Sequence, residues 1–412
     1  MRIHRGQNPA SIRLNNIRLM VNVIRQEDNI TIPELAKKVR LSKTTVWKTV
    51  DYFIQNELIV NIGKGNTSEE GGKKPDLFKF NKNFGYIITI ALYGHYISCA
   101  LADANANIFH EERVNIKVNE SLERVVSIIV SLIDKWQNPT KYIQETKNLI
   151  GIVFALSGVV DSKKGVVFTS SRFRSWPQNA PLLEKIKEQV ELKAPYYIDN
   201  YNRYSVYGEK AKGSFESFSD IFMIFASENG VGGAMISDNE IQRGHNYLIG
   251  EVGHMKINSQ DTERCHCGGY GCFEQQISIE RLLNRAKSLG ANYPDSELNN
   301  ESELNLQSIF DYSNKNDVLA TKLIDEIALW FAIAFQTIAL TIDPQLILIG
   351  GSYKTAGKYL IKKIKEYLKE VSLVDMEKRV TIDYSEYGDE GVLIGGACYG
   401  FDTYFNNYQI IE

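Results

Sequence analysis

The sequence predicts a mixed α/β protein headed by a winged helix-turn-helix, and three observations carry that prediction. Residues 10–56 hold three helical segments, the last two separated by about three residues and each preceded by a capping residue. A strand, a glycine-rich polar tip and a second strand follow between residues 58 and 80. Beyond residue 83, apolar runs of strand length alternate with amphipathic helical stretches. The 412 residues, 43% hydrophobic and 24% charged, have the balance of a globular chain. At about 100–200 residues per domain, that length allows two to four domains.

The first helix follows from the spacing of Ile12, Ile17, Leu19, Met20, Val23 and Ile24. The second is expected over Thr31–Val39. Thr31 is the cap, Glu34 completes a capping-box spacing, and Pro33 lies early, where backbone N–H groups have no helical partner. The third runs from its cap Ser42 to about Asn56, with Val46, Val50, Phe53 and Ile54 facing inward. Leu58-Ile59-Val60 reads as a strand, Gly63–Lys74 as a flexible tip, and Leu77–Phe80 as the returning strand, which together make the wing. Later strands are expected at Tyr86–Ile90, Tyr96–Leu101, Leu149–Ala155, Tyr196–Ile198, Ile221–Phe225 and Leu346–Ile349. Helices are expected at Leu122–Trp136 and Leu182–Glu191. The chain shows no low-complexity tract and no short repeat.

The net charge of −3 hides an asymmetry. Residues 1–82 carry 15 Lys/Arg against 8 Asp/Glu, and the rest of the chain is acidic. A basic head on an acidic body points to nucleic acid at one end. The apolar run Ile327–Ile342 contains Gln336 and falls short of the ~20 residues of a membrane span, so it reads as a buried helix. The N-terminus lacks the apolar core of a secretory signal. Cysteines are few, and three of the five lie within eight residues, a metal-site spacing in a reducing compartment. A cytoplasmic protein without membrane association is expected.

A recognition helix offers its N-terminal residues to the major groove. Here these are Ser42, Lys43, Thr44, Thr45, Trp47 and Lys48, with Lys73 and Lys74 on the wing. Hydroxyls and ammonium groups suit phosphates and base acceptors, and threonine methyls suit thymine methyls. Operator DNA is therefore the expected partner. A homodimer is expected too, because one small module supplies limited affinity.

The most specific motif is Gly250-Glu251-Val252-Gly253-His254 followed by Cys265-His266-Cys267-Gly268-Gly269-Tyr270-Gly271-Cys272-Phe273-Glu274. His254, Cys265, Cys267 and Cys272 make a closed four-ligand set, the pattern of structural zinc. His266 is a rival ligand, awkward to use alongside both of its neighbouring cysteines.

This G-E-x-G-H … C-x-C-G-x-x-G-C-x-E stretch resembles the signature of the ROK family (repressors, open reading frames and sugar kinases). Ser42-Lys43-Thr44-Thr45-Val46 and Gly71-Gly72-Lys73-Lys74-Pro75 resemble its repressor branch. The resemblance implies a two-lobed actin-like, ribonuclease-H-like sugar-kinase fold after the winged helix, with a sugar between the lobes. It implies domains at 1–82, 83–200 and 201–390, and a helix over 391–412 packing back on the lobes. Carried over position by position, it assigns sugar contacts to Glu251, His254 and Glu274, and places the N-D-A-N motif on Asn200, Tyr201, Asn202 and Arg203. Asn200, Tyr201 and Arg203 join the sugar candidates on that ground. Trp176 is a further aromatic candidate, and Ser157–Asp161 resembles a loop near the sugar.

The same resemblance argues against catalysis. The family's phosphate turn, G-x-D-x-G-G-T, falls on Thr89–His95, where Ala91, Tyr93 and His95 replace the Asp, a Gly and the Thr. The second glycine turn reads Glu228-Asn229-Gly230-Val231-Gly232-Gly233-Ala234, with a carboxylate where phosphates would lie. Tyr201 stands where the catalytic Asp belongs, and a phenol titrating near ~10 is a poor base at neutral pH. The expectation is a sugar-responsive repressor of carbohydrate-utilisation genes, not an enzyme, with xylose the first inducer to try. An active kinase with a DNA-binding domain and a sugar-independent regulator controlled by a partner protein are the alternatives.

Overall fold

A computed structural model describes residues 9–27, 29–65, 74–137, 148–228, 230–372 and 375–407. The chain forms two compact units. The first comprises Met1–Phe154, Pro181–Ile198 and Gly396–Glu412, and the second Ala155–Ala180 and Asp199–Gly395.

The first unit opens with α1 (Pro9–Gln26), the two-residue β1 (Ile30–Thr31), α2 (Ile32–Val39) and α3 (Lys43–Gln55). The expected capping box forms: Thr31 Oγ1 accepts from the Glu34 N–H, and the Glu34 carboxylate accepts from the Thr31 N–H at 2.9 Å. Ser42 caps α3 through the Thr45 N–H at 3.1 Å. Val46, Val50 and Phe53 are buried as expected, but Ile54 is exposed, because it lies just past the edge of the packed stripe. In α1 the buried face is Ile17, Met20, Val21 and Ile24, whereas Ile12 and Leu19 face solvent. The wing strands are β2 (Ile59–Lys64) and β3 (Asp76–Phe80), and β1 pairs with the outer edge of β3.

The remaining strands of this unit are β4 (Tyr86–Leu92), β5 (Tyr96–Asp103), β6 (Ile108–Asn115) and most of β7 (Leu149–Leu156), with α4 (Leu122–Trp136) between β6 and β7. Next along the chain, β8 (Val159–Asp161) and β9 (Val166–Thr169) form a small antiparallel pair in the second unit. After α5 (Leu182–Lys187), β10 (Tyr196–Asn200) completes a sheet of order β10-β7-β4-β5-β6. Ser121 caps α4, whose apolar face is Val125, Ile129, Leu132 and Ile133.

The second unit continues with α6 (Tyr201–Lys212), β11 (Ile221–Ser227), β12 (Gly230–Ser237) and β13 (Glu240–Gln242). After α7 (Phe273–Gln276), α8 (Ile279–Leu289), α9 (Leu306–Asn314) and α10 (Val318–Ile342) come β14 (Leu346–Gly351), α11 (Gly357–Val371), α12 (Met376–Arg379) and β15 (Thr381–Tyr384). The sheet order is β13-β12-β11-β14-β15. Helix α10 is long and apolar enough to cross a membrane by length and composition, yet Leu323, Ile327, Phe331, Phe335 and Ile338 are buried in this unit's core, as the sequence suggested. The last helix, α13 (Glu390–Asn406), begins in the second unit and ends in the first.

The two five-stranded sheets share one topology. Each has a three-stranded antiparallel meander (β4-β5-β6 and β11-β12-β13), with the two later strands added beside the meander's first. This duplication, absent from the residue pattern, is the actin-like, ribonuclease-H-like fold that the resemblance implied.

Candidate functional site

On the first unit, the proposed DNA-reading residues Ser42, Lys43, Thr44, Thr45, Trp47 and Lys48 all lie exposed at the head of α3. Ser42 and Thr45 share a local hydrogen bond of 2.8 Å, so their hydroxyls are oriented before any ligand arrives. Trp47 is 57% exposed, unusual for so large an apolar side chain. Lys74 is exposed, and Lys73 lies outside the described residues.

On the second unit, a short turn of helix over Val252–His254 carries His254, and the chain returns through Cys265, Cys267 and Cys272. One donor atom from each of the four residues lies within 4.8 Å of all the others. Cys265 Sγ is 3.6 Å from His254 Nδ1, and Cys267 Sγ is 3.5 Å from Cys272 Sγ. Tetrahedral zinc, with bonds of ~2.3 Å to sulfur and ~2.1 Å to nitrogen, spaces its donors about 3.5–3.8 Å apart. The donor set therefore fits that ion in number, type and spacing. Cys265, Cys267 and Cys272 form no disulfide. The Gly269 N–H is the largest of the effects that bring the Cys267 thiol down to about 7, which favours the ligating thiolate. Burial pushes Cys265 up, and its hydrogen bond to Glu274 adds to the rise. The Lys256 ammonium lies 2.7 Å from Cys272 Sγ; nothing in the motif pointed to it.

The knuckle is shaped by backbone that glycine permits. Gly271 has φ +70°, and a Cβ there would lie 2.0 Å from the Asn258 carbonyl oxygen. Gly250, immediately before Glu251, has φ +107°, and its Cβ would lie 2.1 Å from the Gly233 oxygen. Phe273 anchors the far end in the core, edge-on to Phe331 at 5.4 Å. Glu274 follows it, with Oε2 within 3.4 Å of the Val231 N–H and Oε1 3.5 Å from His254 Nδ1. Glu251 is open to solvent but crowded. Desolvation raises its carboxyl above the ordinary range, His254 and Arg203 pull it down, and Glu274 pushes it up.

Around the head of α6, the expected ligands divide. Asn200 caps α6 by accepting from the Asn202 N–H at 2.8 Å, and its amide donates to the Gly158 oxygen at 2.8 Å. Tyr201 packs edge-on to Phe225 at 5.7 Å and accepts a hydrogen bond from Arg172. Desolvation raises its phenol, Arg172 opposes that, and Asp389 and Glu251 push it higher. Arg203 does not present a free donor fork. Its Nη1 donates to Asp199 Oδ1 at 2.6 Å, and its Nη2 to the carbonyls of Tyr247 and Ile249. Asp199 is fully buried and also bonds Arg243 Nε at 2.6 Å, so it is committed to two guanidiniums rather than free as a base. Trp176 is buried and stacked on Phe173 at 4.4 Å, which spends its ring face on packing.

Sequence reasoning missed Arg172, Arg243 and Asp389 here. None sits in a motif, and each reaches Tyr201 or Asp199 only through folding. Asn202 Oδ1 is buried with no partner among the described residues, an open acceptor at the head of α6.

The two turns that the resemblance aligned with phosphate loops have other contents. In the first unit, Tyr93-Gly94-His95 closes the β4–β5 hairpin, with Tyr93 stacked on Tyr96 at 4.7 Å and His95 edge-on to the same ring. In the second unit, the β11–β12 turn contains Asn229, outside the described residues.

The profile of the ROK family matches residues 87–400. The xylose repressor of Caldicellulosiruptor bescii is 28% identical over 391 residues, covering 94% of this chain and 96% of the relative. A glucokinase of Halalkalibacterium halodurans is 25% identical over 291 residues, covering 64% of this chain and 87% of the relative. Among solved structures, a ROK family transcriptional regulator homologous to the E. coli Mlc protein superposes with a TM-score of 0.78 at 22% identity, covering 96% of this chain and 97% of that one.

Proposed function

Because this chain belongs to the ROK family, we propose that it is a sugar-responsive transcriptional repressor of carbohydrate-use genes, reading operator DNA with α3 and the wing. The observation that supports it is a pairing on one chain: a capped, exposed recognition helix, and a His/Cys₃ knuckle at whose two ends stand Glu251 and Glu274. The similarity to a xylose repressor runs through both parts, whereas the similarity to the glucokinase covers only 64% of the chain.

In this reading residues 1–82 are the DNA reader, the lobes expected at 83–200 and 201–390 form the sensor with 155–180 assigned to the second lobe, and 391–412 is a return helix. His254, Cys265, Cys267 and Cys272 would hold zinc. A closed four-ligand site gives rigidity and leaves no position for an activated water. Glu251, Glu274 and the second ring nitrogen of His254 accept from or donate to sugar hydroxyls, with Tyr201 beside them. Asn200 and Arg203 border that site as supports. Ala91, Tyr93 and Tyr201 remove the metal-positioning carboxylate, the phosphate turn and the base that phosphoryl transfer to a sugar requires. The protein acts as a cytoplasmic homodimer. Sugar shifts the balance between two states of the dimer only as far as its affinity for them differs, and one of the two binds paired half-sites.

The experiment is release of the full-length protein from operator DNA by a panel of free sugars, xylose first, beside an assay for sugar-dependent ADP release from ATP and Mg²⁺. We expect one sugar to change operator affinity and no ADP above background. ADP release at enzyme rates, or indifference to every sugar, overturns the reading.

A further inference from the structure

We infer that Asp199, Arg203 and Arg243 are positioning residues that set sugar affinity through the loop 243–250, a claim that rests on the sugar-site reading above. Asp199, next to last in β10, is fully buried, with Oδ1 2.6 Å from Arg203 Nη1 and Oδ2 2.6 Å from Arg243 Nε. Arg203 then reaches across to the loop and holds two of its carbonyls, Tyr247 at 2.8 Å and Ile249 at 3.4 Å. Tyr247 is held at its other end, where its hydroxyl donates to Asp161 Oδ1 at 2.8 Å. Asp161 is itself fixed by the N–H groups of Lys163 and Lys164, both at 3.0 Å. Tyr247 has φ +60°, a left-handed conformation that a bulky side chain keeps only when its surroundings impose it.

One buried carboxylate thus ties together three segments: the β10 end that leads into Asn200 and Tyr201, the β8 end at Asp161, and the loop that leads into Glu251. Buried ion pairs are weak contributors to stability, because desolvation offsets most of the attraction. An arrangement of two arginines on one aspartate is better explained as the selection of a single loop conformation. Fixing the loop before ligand arrives removes an ordering cost from binding, which appears as affinity without a contact to the sugar.

The test uses the full-length, zinc-loaded protein with D-xylose and D-glucose as probes, by titration calorimetry. Arg243→Ala is the informative variant, since Asp199 keeps Arg203 and the buried charge remains paired. It should bind the sugar that the wild type binds at least about tenfold more weakly, ~1.4 kcal/mol. Melting temperature, zinc content and sugar-free operator affinity should stay at wild-type values, and amide exchange across residues 243–250 should speed up. Arg243→Lys should restore part of the affinity. Tyr247→Phe, which removes only the hydroxyl bond to Asp161, should weaken binding less. Unchanged affinity in Arg243→Ala, or a loss matched by a loss of fold or zinc, overturns the positioning role and leaves the sugar reading intact. Failure of the wild type to bind these two sugars and then every other sugar of the panel overturns both.

Discussion

The head of α3 and the ground around Glu251 both gather polar side chains that we propose face a ligand, yet they are built in opposite ways. The proposed reader is assembled from neighbours: Ser42 bonds Thr45, Thr31 bonds Glu34, and its residues other than the wing lysines lie on α3 or its cap. The proposed sugar side is assembled from separations of tens of residues. Arg203 bonds Tyr247 and Ile249, Arg243 bonds Asp199, and Glu274 meets Val231. Local construction tolerates change one residue at a time, because each cap stabilises only its own helix. Non-local construction couples its members, because each group is held by partners from several segments and a change at one is felt by the others.

Three measurements sharpen that contrast. The largest effect is expected from Cys267→Ser. This residue is exposed, so little packing is lost and the change isolates ligation. Metal content should fall well below one per chain, with a stability loss on the order of 3 kcal/mol. The sugar response should vanish while sugar-free operator binding persists. Full induction at low zinc content, read by metal analysis beside operator release, would separate the knuckle from the sugar site and break the comparison.

Lys48→Ala should act on the reader alone. Operator affinity should drop uniformly across sequences, and the slope of log K against log salt should shrink by about 1, the signature of one lost phosphate contact. Sugar affinity in the absence of DNA should not move. An unchanged salt slope would remove Lys48 from the interface.

Thr31→Ala is expected to have the smallest effect, about 1 kcal/mol, the usual cost of a lost N-cap. It also carries a pH prediction. Hydrogen bonds from the Thr31 hydroxyl and N–H hold the Glu34 carboxyl below its ordinary value. A depressed carboxyl contributes stability above its unfolded pKa and loses it as pH falls through the folded one. Wild type and variant should therefore differ at neutral pH and converge in the acid limb of a denaturation series. A gap that stays constant with pH would mean that Glu34 takes no part in the cap.

Much of this protein was legible from residues alone, and the legible parts share a cause. The capping box at Thr31, the cap at Ser42, the α4 boundaries and the first three core positions of α3 depend on side chains a few residues apart. The His/Cys₃ set was equally legible, because metal chemistry restricts which residue types can stand at that spacing. Errors arose at the edges. Ile54 continued a helical period but fell outside the packed stripe, since period alone does not fix how wide the covered face is. Among the described residues, seven strands were missed: β1, β8, β9 and β13 have four residues or fewer, and β6, β12 and β15 escaped as well. β6 is a half-exposed edge strand, β12 is rich in glycine, and β15 has only four residues, so none gives a strong apolar pattern.

The sequence by itself determined the caps, the His/Cys₃ set, the three N-terminal helices and the substitutions at Ala91, Tyr93 and Tyr201. Only the tertiary structure decided where Arg203 points, that Asp199 serves two arginines, that Arg172 meets Tyr201, and that the two sheets repeat one topology. The physical reason is the range of the interaction. Caps and ligand spacings are short-range geometry written in neighbouring residues. A buried carboxylate takes whichever cations folding delivers to it, and those lie 4 and 44 residues away along the chain.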